Sequence, residues 1–379
     1  MLTCQKHLFD IPEDVTYLNC AYMGPLPRVA AEAGQRGIKV KQEPWKLSTD
    51  DFFPEVKRSK ELFAVIIGAN AQDISIAPSA SYGIATAAKN LTIKPGQSIV
   101  VLDEQFPSNV YSWRRKAAEN GATIKFAKRR EDYDWAASII EQIDENTALV
   151  ATGNVHWTDG SVIDLVKVSA ACKAVGAALV IDGTQSIGVQ PLDVKAIRPD
   201  FVAVGVYKWM LGPYSYAYLY SAPWQQKGVP LEENWITRKG SGNFAGLVDY
   251  VDDYGPGAER YDQGERSNFI LTPMTVASLE LFQKWTVPAV AEYIEKLTDK
   301  AAAAAGDLGL SVAPKSARSP HMLGIRLAGQ DPQAVAAKMA EAKVMVSVRG
   351  TAVRLAPHVF NDESDIDRFF NVLEGCIRS

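Results

Sequence analysis

From about residue 54 to residue 220 the chain alternates two textures. Short apolar runs, "SIVVLDE", "TIKFAK", "TALVATGNV", "AALVIDG" and "FVAVGV", show little polar alternation, as expected of strands covered on both faces. Between them lie stretches with helical spacing, such as "YSWRRKAAENG" and "DLVKVSAACKAVG", the latter closing on Gly176 as a C-cap. This order predicts an α/β fold with a mainly parallel sheet sandwiched by helices. From 221 to 268 the texture changes to Gly-, Pro- and aromatic-rich loops, "RKGSGNFAG" and "DDYGPGAERYDQGERSN", of the kind that serve a site or a partner chain. A long helix is predicted from Pro273, and "AAAAAG" at 301–306 reads as a helix ending on its glycine. The tail reads strand ("HMLGIRL"), helix ("DPQAVAAKMAEAK"), two strands ("VMVSVRG", "AVRLAP") and helix ("ESDIDRFFNVLEGCI"). The expectation is a large domain over 15–268 and a smaller α/β domain built from 1–14 and 269–379.

Composition narrows the function without naming it. The 379 residues suit about two domains, and 47% hydrophobic with 22% charged residues is ordinary for a globular protein. Net charge is −4, and the cluster "KRRED" cancels itself, so nucleic-acid binding has no electrostatic footprint. Four scattered cysteines (Cys4, Cys20, Cys172, Cys376) and four scattered histidines give neither a disulfide framework nor metal-ligand spacing. The start lacks the apolar core of a signal peptide, and no apolar run approaches the roughly 20 residues that span a bilayer. A cytoplasmic protein, with neither membrane nor metal, is the expectation.

Ligands of open α/β sheets gather beyond the carboxyl ends of the strands, so the residues that end each run matter most. "FVAVGVYK" ends on Lys208, which taken alone would simply reach the surface. "VIDGTQ" ends on Asp182 with Gln185 three residues on; the run at 98–103 leads to Phe106, and that at 147–151 leads to His156 and Trp157. "PSASYG" opens a helix with Ser79 and Ser81 in its first turn, an anion site made of amides and hydroxyls. One cofactor asks for the whole set: pyridoxal 5′-phosphate (PLP). It needs a lysine for its Schiff base, a carboxylate against its pyridine nitrogen, a phosphate cradle, a donor near the phenolic oxygen and a flat side chain over the ring.

The segments "YLNCAYMGP", "SASYGIATAAKNL", "EQFPSNVYSW", "NVHWTDG", "VIDGTQSIG", "GVYKWMLGP", "GERSN" and "VRLAPHVFN" run in one order along nearly the whole chain. Together they resemble the class V aminotransferase family of fold-type I PLP enzymes, which includes cysteine desulfurases, selenocysteine lyases, isopenicillin N epimerase-like proteins and kynureninase. The resemblance implies a PLP-dependent enzyme, in which Lys208 forms the Schiff base, Asp182 partners the pyridine nitrogen and Gln185 the phenolic oxygen. Ala80, Ser81 and Tyr82 fall on its phosphate turn, Gly205 and Tyr207 flank the cofactor, and Phe106 with Trp157 lies over or beside the ring. Arg354 matches the grip on the substrate carboxylate, with Arg349 a second candidate and Tyr22 beside them. His156 would be a second acid–base group for an epimerase, a role also open to a tyrosine. Tyr22, Trp113, Trp157 and Trp209 are candidates for an aromatic pocket lining. A homodimer with shared active sites is implied as well.

The departures from that pattern are informative. "VMVSVRGTAVR" lacks the cysteine that desulfurases carry before the substrate arginine, which disfavours persulfide chemistry. Gly205 replaces a frequent serine. Glu265 stands where a hydroxyl commonly meets the neighbouring subunit's phosphate, leaving Arg266 as the substitute cation. Transamination is the leading expectation, with Cβ-elimination or epimerisation as alternatives. A nucleotide-dependent dehydrogenase is disfavoured, since neither GxGxxG after the first strand nor GxxxxGK[ST] occurs.

Overall fold

A computed structural model describes residues 2–327 and 329–378; Met1, Ala328 and Ser379, inside the spans expected for the small domain, lie outside the described residues. In chain order the strands of the N-terminal part are β1 (Thr16–Tyr17), β2 (Ile74–Ala77), β3 (Ser98–Leu102), β4 (Thr123–Ala127), β5 (Thr147–Gly153), β6 (Ala178–Asp182), β7 (Phe201–Gly205) and β8 (Ala217–Ser221). The C-terminal strands are β9 (Leu323–Arg326), β10 (Val344–Met345), β11 (Ser347–Arg349) and β12 (Ala352–Leu355). The helices are α1 (Arg28–Gln42), α2 (Pro54–Ile67), α3 (Ala80–Asn90), α4 (Tyr111–Asn120), α5 (Trp135–Gln142), α6 (Leu165–Val175) and α7 (Val194–Ile197), then α8 (Leu271–Trp285), α9 (Val287–Asp307), α10 (Pro332–Glu341) and α11 (Glu363–Arg378).

Successive side chains of a strand face opposite ways, and β3 accordingly feeds two apolar layers. Ile99 and Val101 pack with Ile84 and Ala87 of α3 and Trp113 of α4. Val100 and Leu102 enter the opposite layer, with Leu62 of α2, Ile139 of α5 and Val168 of α6. The seven-stranded sheet has the order β2-β8-β7-β6-β5-β3-β4. Its five expected strands, β3 to β7, run parallel, while β8 returns antiparallel to β7 and pairs with β2 at the edge. The chain moves from β3 outward to β4 and from β5 the other way to β6, so the topological switch lies between β3 and β5.

A second, three-stranded sheet, β11-β12-β9, is antiparallel and packs with α9, α10 and α11 around Leu297, Ile325, Met339, Leu355 and Phe369. The run "VMVSVRG" splits in two: β10 pairs with β1, and β11 with β12. Helix α8 begins at Leu271, two residues ahead of Pro273. Helix α8, given to the small domain by the expected boundary at 268/269, packs on α1 and α2 and also, through Leu281, Phe282 and Trp285, with Val290, Ile294 and Phe360. Gly34 of α1 leaves room for Met274 of α8, whose Sδ would lie 2.7 Å from an added Cβ. Helix α9 continues past Gly306 to Asp307, and the left-handed glycine beyond it is Gly309.

Candidate active site

One cavity opens at the carboxyl ends of β3, β5, β6 and β7, and its lining includes Ser79, Ala80, Ser81, Phe106, Trp157, Asp182, Thr184, Gln185, Gly205, Tyr207 and Lys208. Phe106 and Trp157 follow the two strands that flank the switch point. Their rings meet edge to face at 5.4 Å, and the Trp157 indole donates to the Glu104 carbonyl.

Lys208 is only 6% exposed, and no carboxylate among the described residues lies within ion-pair distance of its Nζ. Its ammonium faces aromatic rings instead, 5.6 Å from the centroid of Phe106 and 5.4 Å from that of Tyr207. Burial first, and then the Arg354 guanidinium, pull its pKa down from 10.5 to about 8, against the opposing pull of Asp182. The turn carrying it is held from the N-terminal segment: Gly24 N donates to the Tyr207 carbonyl at 2.8 Å, and the Cys20 thiol lies 3.5 Å from the Lys208 carbonyl. Only glycine fits at position 24, where an added Cβ would lie 2.2 Å from that same Lys208 oxygen.

Asp182 ends β6, and one of its carboxylate oxygens accepts Thr184 N–H at 3.0 Å. Thr184 Oγ1 in turn accepts Gly205 N–H at 3.3 Å, tying β6 to β7 under the cavity. Gln185 Oε1 accepts the Trp209 indole N–H at 3.0 Å, and its Nε2 donates to the Ala21 carbonyl at 3.1 Å, which leaves one amide hydrogen for another partner. Gly205 and Tyr207 depend on each other: a Cβ on Gly205 would lie 2.9 Å from the Tyr207 ring. A serine, frequent at this place in the pattern, would press on the tyrosine two residues on. Helix α3 points its first turn at the cavity. Ser79 caps it by accepting Tyr82 N–H at 3.1 Å, with Ser81 Oγ 2.9 Å from Ser79 Oγ. The cap consumes the Tyr82 amide, and Tyr82 does not line the cavity; Ala80 and Ser81 do.

Several expected residues lie elsewhere. His156 is not among the lining residues: its ring stacks on Trp135 at 4.7 Å, with Nδ1 2.7 Å from Thr158 Oγ1 and Nε2 3.2 Å from the Asp103 carbonyl. Burial and the Arg129 charge lower its pKa. The epimerase option therefore falls to a tyrosine, and Tyr207 and Tyr214 line the cavity. Trp113 is buried with α3 and α4, and Trp209 is packed beneath the lysine turn against His321. Tyr22 is 57% exposed and outside the lining, close enough to act electrostatically on Tyr207 and Arg349. Arg266 is no substitute cation for a neighbouring subunit. It is buried in ion pairs with Asp262 and, at 2.5 Å, Glu259, acids four and seven positions upstream that the sequence already displayed.

Arg354, like Arg349, is not among the lining residues: it is fully buried behind Trp157, and Nη1 donates to the Trp157 carbonyl at 2.6 Å, while Nε and Nη2 have no hydrogen-bond partner. Burial, and then Arg349, lower its pKa to about 9. Arg349 lies over the Trp157 ring at 5.4 Å, and its Nε is likewise buried without a partner. Residues that sequence reasoning passed over are Thr184, Gln105, Ser108 and Ser215, all of them in the lining. Only Thr184 had a visible signal, two positions after the strand-end acid. No described cysteine lines the cavity, and burial holds the Cys20 thiol far above its usual range. No cluster of His, Cys, Asp or Glu suited to a metal ion occurs among the described residues.

The class V aminotransferase family profile matches residues 48–369, and the chain belongs to that family. PLP is the cofactor of the family's enzymes. An uncharacterized aminotransferase of Bacillus subtilis, YcbU, is 26% identical over 306 residues, 80% of this chain and 79% of the relative. The isopenicillin N epimerase of Streptomyces clavuligerus is 25% identical over 387 residues, covering 95% and 94%. A solved structure of the C-DES protein, a lysine variant with glycine covalently linked to its PLP cofactor, superposes with a TM-score of 0.87 at 21% identity. It covers 98% of this chain and 99% of that one, a likeness of fold.

Proposed function

We propose that this chain is an aminotransferase that holds PLP on Lys208 and takes the amino group of an amino acid whose α-carboxylate docks on Arg354. The observation that carries the reading is Lys208 itself, a buried amine with no carboxylate within ion-pair distance among the described residues, facing a cavity that Asp182 enters from the next strand. An amine of that kind is costly unless its chemistry is used. Two further observations fit the cofactor. The first turn of α3 offers amides and hydroxyls for a phosphate, and Arg354 presents a buried, unpaired fork for a carboxylate.

Bound there, PLP supplies an electron sink for the charge left when a proton leaves the substrate's Cα. Asp182 keeps the pyridine nitrogen protonated, and the remaining Gln185 amide hydrogen serves the phenolic oxygen. Phe106 and Trp157, whose rings touch edge to face, would present aromatic surface to the cofactor. Arg354 orients the substrate so that its Cα proton faces Lys208, whose lowered pKa suits it to take that proton and return it. The absence of a cysteine from the described lining supports transamination over persulfide chemistry.

A cytoplasmic homodimer completes the reading. It is supported by Cys4, Cys20 and Cys172, none of which is in a disulfide, and by the exposed Val248 and Tyr250 on the loops after β8. No described helix is long and apolar enough to cross a membrane.

The test is borohydride reduction of the PLP-loaded protein followed by peptide mapping, then turnover with and without a keto-acid acceptor. The tag is expected on Lys208, with turnover that requires the acceptor. A tag elsewhere removes the lysine assignment, and turnover independent of any keto acid removes transamination.

A further inference from the structure

The hairpin β11–β12 places more cationic capacity beside the cavity than one carboxylate can use. Ser347 pairs directly with Arg354 across the hairpin, and Arg349 pairs with Ala352. Opposed residues share a face, as do residues two apart on one strand, so Ser347, Arg349 and Arg354 all project from the same side. On the third strand the residue opposite Arg354 is Gly324, which adds no side chain to that face.

The donors on this face are unspent. Arg354 Nε and Nη2, Arg349 Nε and Ser347 Oγ are all buried without a hydrogen-bond partner. Neither guanidinium has a carboxylate within ion-pair distance among the described residues. Asp159, whose backbone abuts Gly324, gives its carboxylate to Arg129 and Ser161 instead. Arg354 donates to the Trp157 main-chain carbonyl and Arg349 lies over the Trp157 ring, so both cations hold one residue of the cavity wall.

A carboxylate docked on the Nε–Nη2 fork of Arg354 is satisfied in bidentate fashion and consumes that fork. Arg349, half-buried with Nη1 on the Val348 carbonyl, would keep its buried Nε unpaired, as would the Ser347 hydroxyl, two buried donors whose desolvation goes uncompensated. We infer that the amino-acid substrate, or its keto-acid counterpart, carries a second carboxylate, which Arg349 and Ser347 hold while Arg354 holds the first. This rests on the proposed reading of the site, and it deepens that reading to a dicarboxylic substrate class.

The experiment has a binding arm and a turnover arm. Calorimetry compares succinate with propionate on the protein with and without PLP, for wild type, Arg349→Gln and Arg349→Lys. Succinate is expected to bind wild type at least tenfold more tightly than propionate. Arg349→Gln should lose roughly 10- to 100-fold for succinate, the range of one charge-assisted bond, and less than twofold for propionate, with partial recovery in Arg349→Lys. In turnover, kcat/KM for aspartate and glutamate should fall in Arg349→Gln by at least tenfold more than that for alanine. Equal binding of the two acids to wild type, or equal losses for mono- and dicarboxylates in the variant, overturns the inference. Failure of borohydride to fix PLP on Lys208 overturns the cofactor assignment instead, and the binding arm on the PLP-free protein still decides the dicarboxylate question.

Discussion

Replacing Lys208 with methionine should make the PLP-free protein more stable at neutral pH, although it removes the residue on which the proposed chemistry turns. Methionine nearly conserves the length and volume of the buried stem and carries no charge. The folded-state pKa of Lys208 is about 8 against an ordinary 10.5. At about 1.4 kcal/mol per pH unit this is a cost on the order of 3 kcal/mol for folding with a charged amine. The ring contacts with Phe106 and Tyr207 return about 0.5–1 kcal/mol of it, so a gain of about 2–3 kcal/mol is expected for the variant at pH 7. The pH dependence fixes the sign. Between pH 8 and 10.5 the unfolded chain binds more protons at this site than the folded one, so wild-type stability rises with pH there relative to the variant. Below pH 8 the difference is constant and full, and near pH 10.5 it has vanished. Urea midpoints of the two PLP-free proteins at pH 7, 8, 9 and 10 measure this directly. A lysine variant less stable than wild type at pH 7, or a difference that ignores pH, refutes the account of Lys208 as a strained, unpaired amine.

Two more outcomes rest on packing. Asp262→Ala should cost about 3–5 kcal/mol in thermal or urea unfolding, because it strands the buried cation Lys60, leaves Arg266 with Glu259 alone and also removes the acceptor of Ile76 N–H at 2.6 Å. Gly205→Ser should cost about 1–3 kcal/mol through its clash with the Tyr207 ring. Much of that cost should disappear when Tyr207→Ala is added, and a double-mutant cycle showing simple additivity would disprove the dependence of one on the other.

The parallel strands were legible because burial on both faces writes an unbroken apolar run, and the strand-end chemistry of Asp182 and Lys208 came with them. β8 was harder to read, since "AYLYS" places tyrosines on an inner face where Tyr218 stacks on Phe63 and its hydroxyl contacts Ser59. β1 has two residues and is a strand only because β10 lies beside it, information that no local pattern holds. The absence of His156 from the cavity beside Trp157 has the same origin. Adjacent residues of an extended segment face opposite ways, and the turn at 156–160, with Gly160 N bonded to the His156 carbonyl, decides which one meets the cavity. The surplus of donors on the β11–β12 hairpin was invisible to sequence, because whether an arginine is paired depends on what the fold brings near it.

The pairing of Thr16 with Val344, and of Asn19 with Ala356 just beyond, also governs when the pocket can be completed during synthesis. Cys20 and Gly24, which brace the lysine turn, leave the ribosome well ahead of the partners that fix the segment before them, which emerge more than 300 residues later. The large sheet can assemble as the chain grows, yet until the final strands arrive the turn bearing Lys208 lacks its brace. Vitamin capture on this architecture is therefore a late event, and a nascent chain stalled before residue 344 should bind PLP loosely at best.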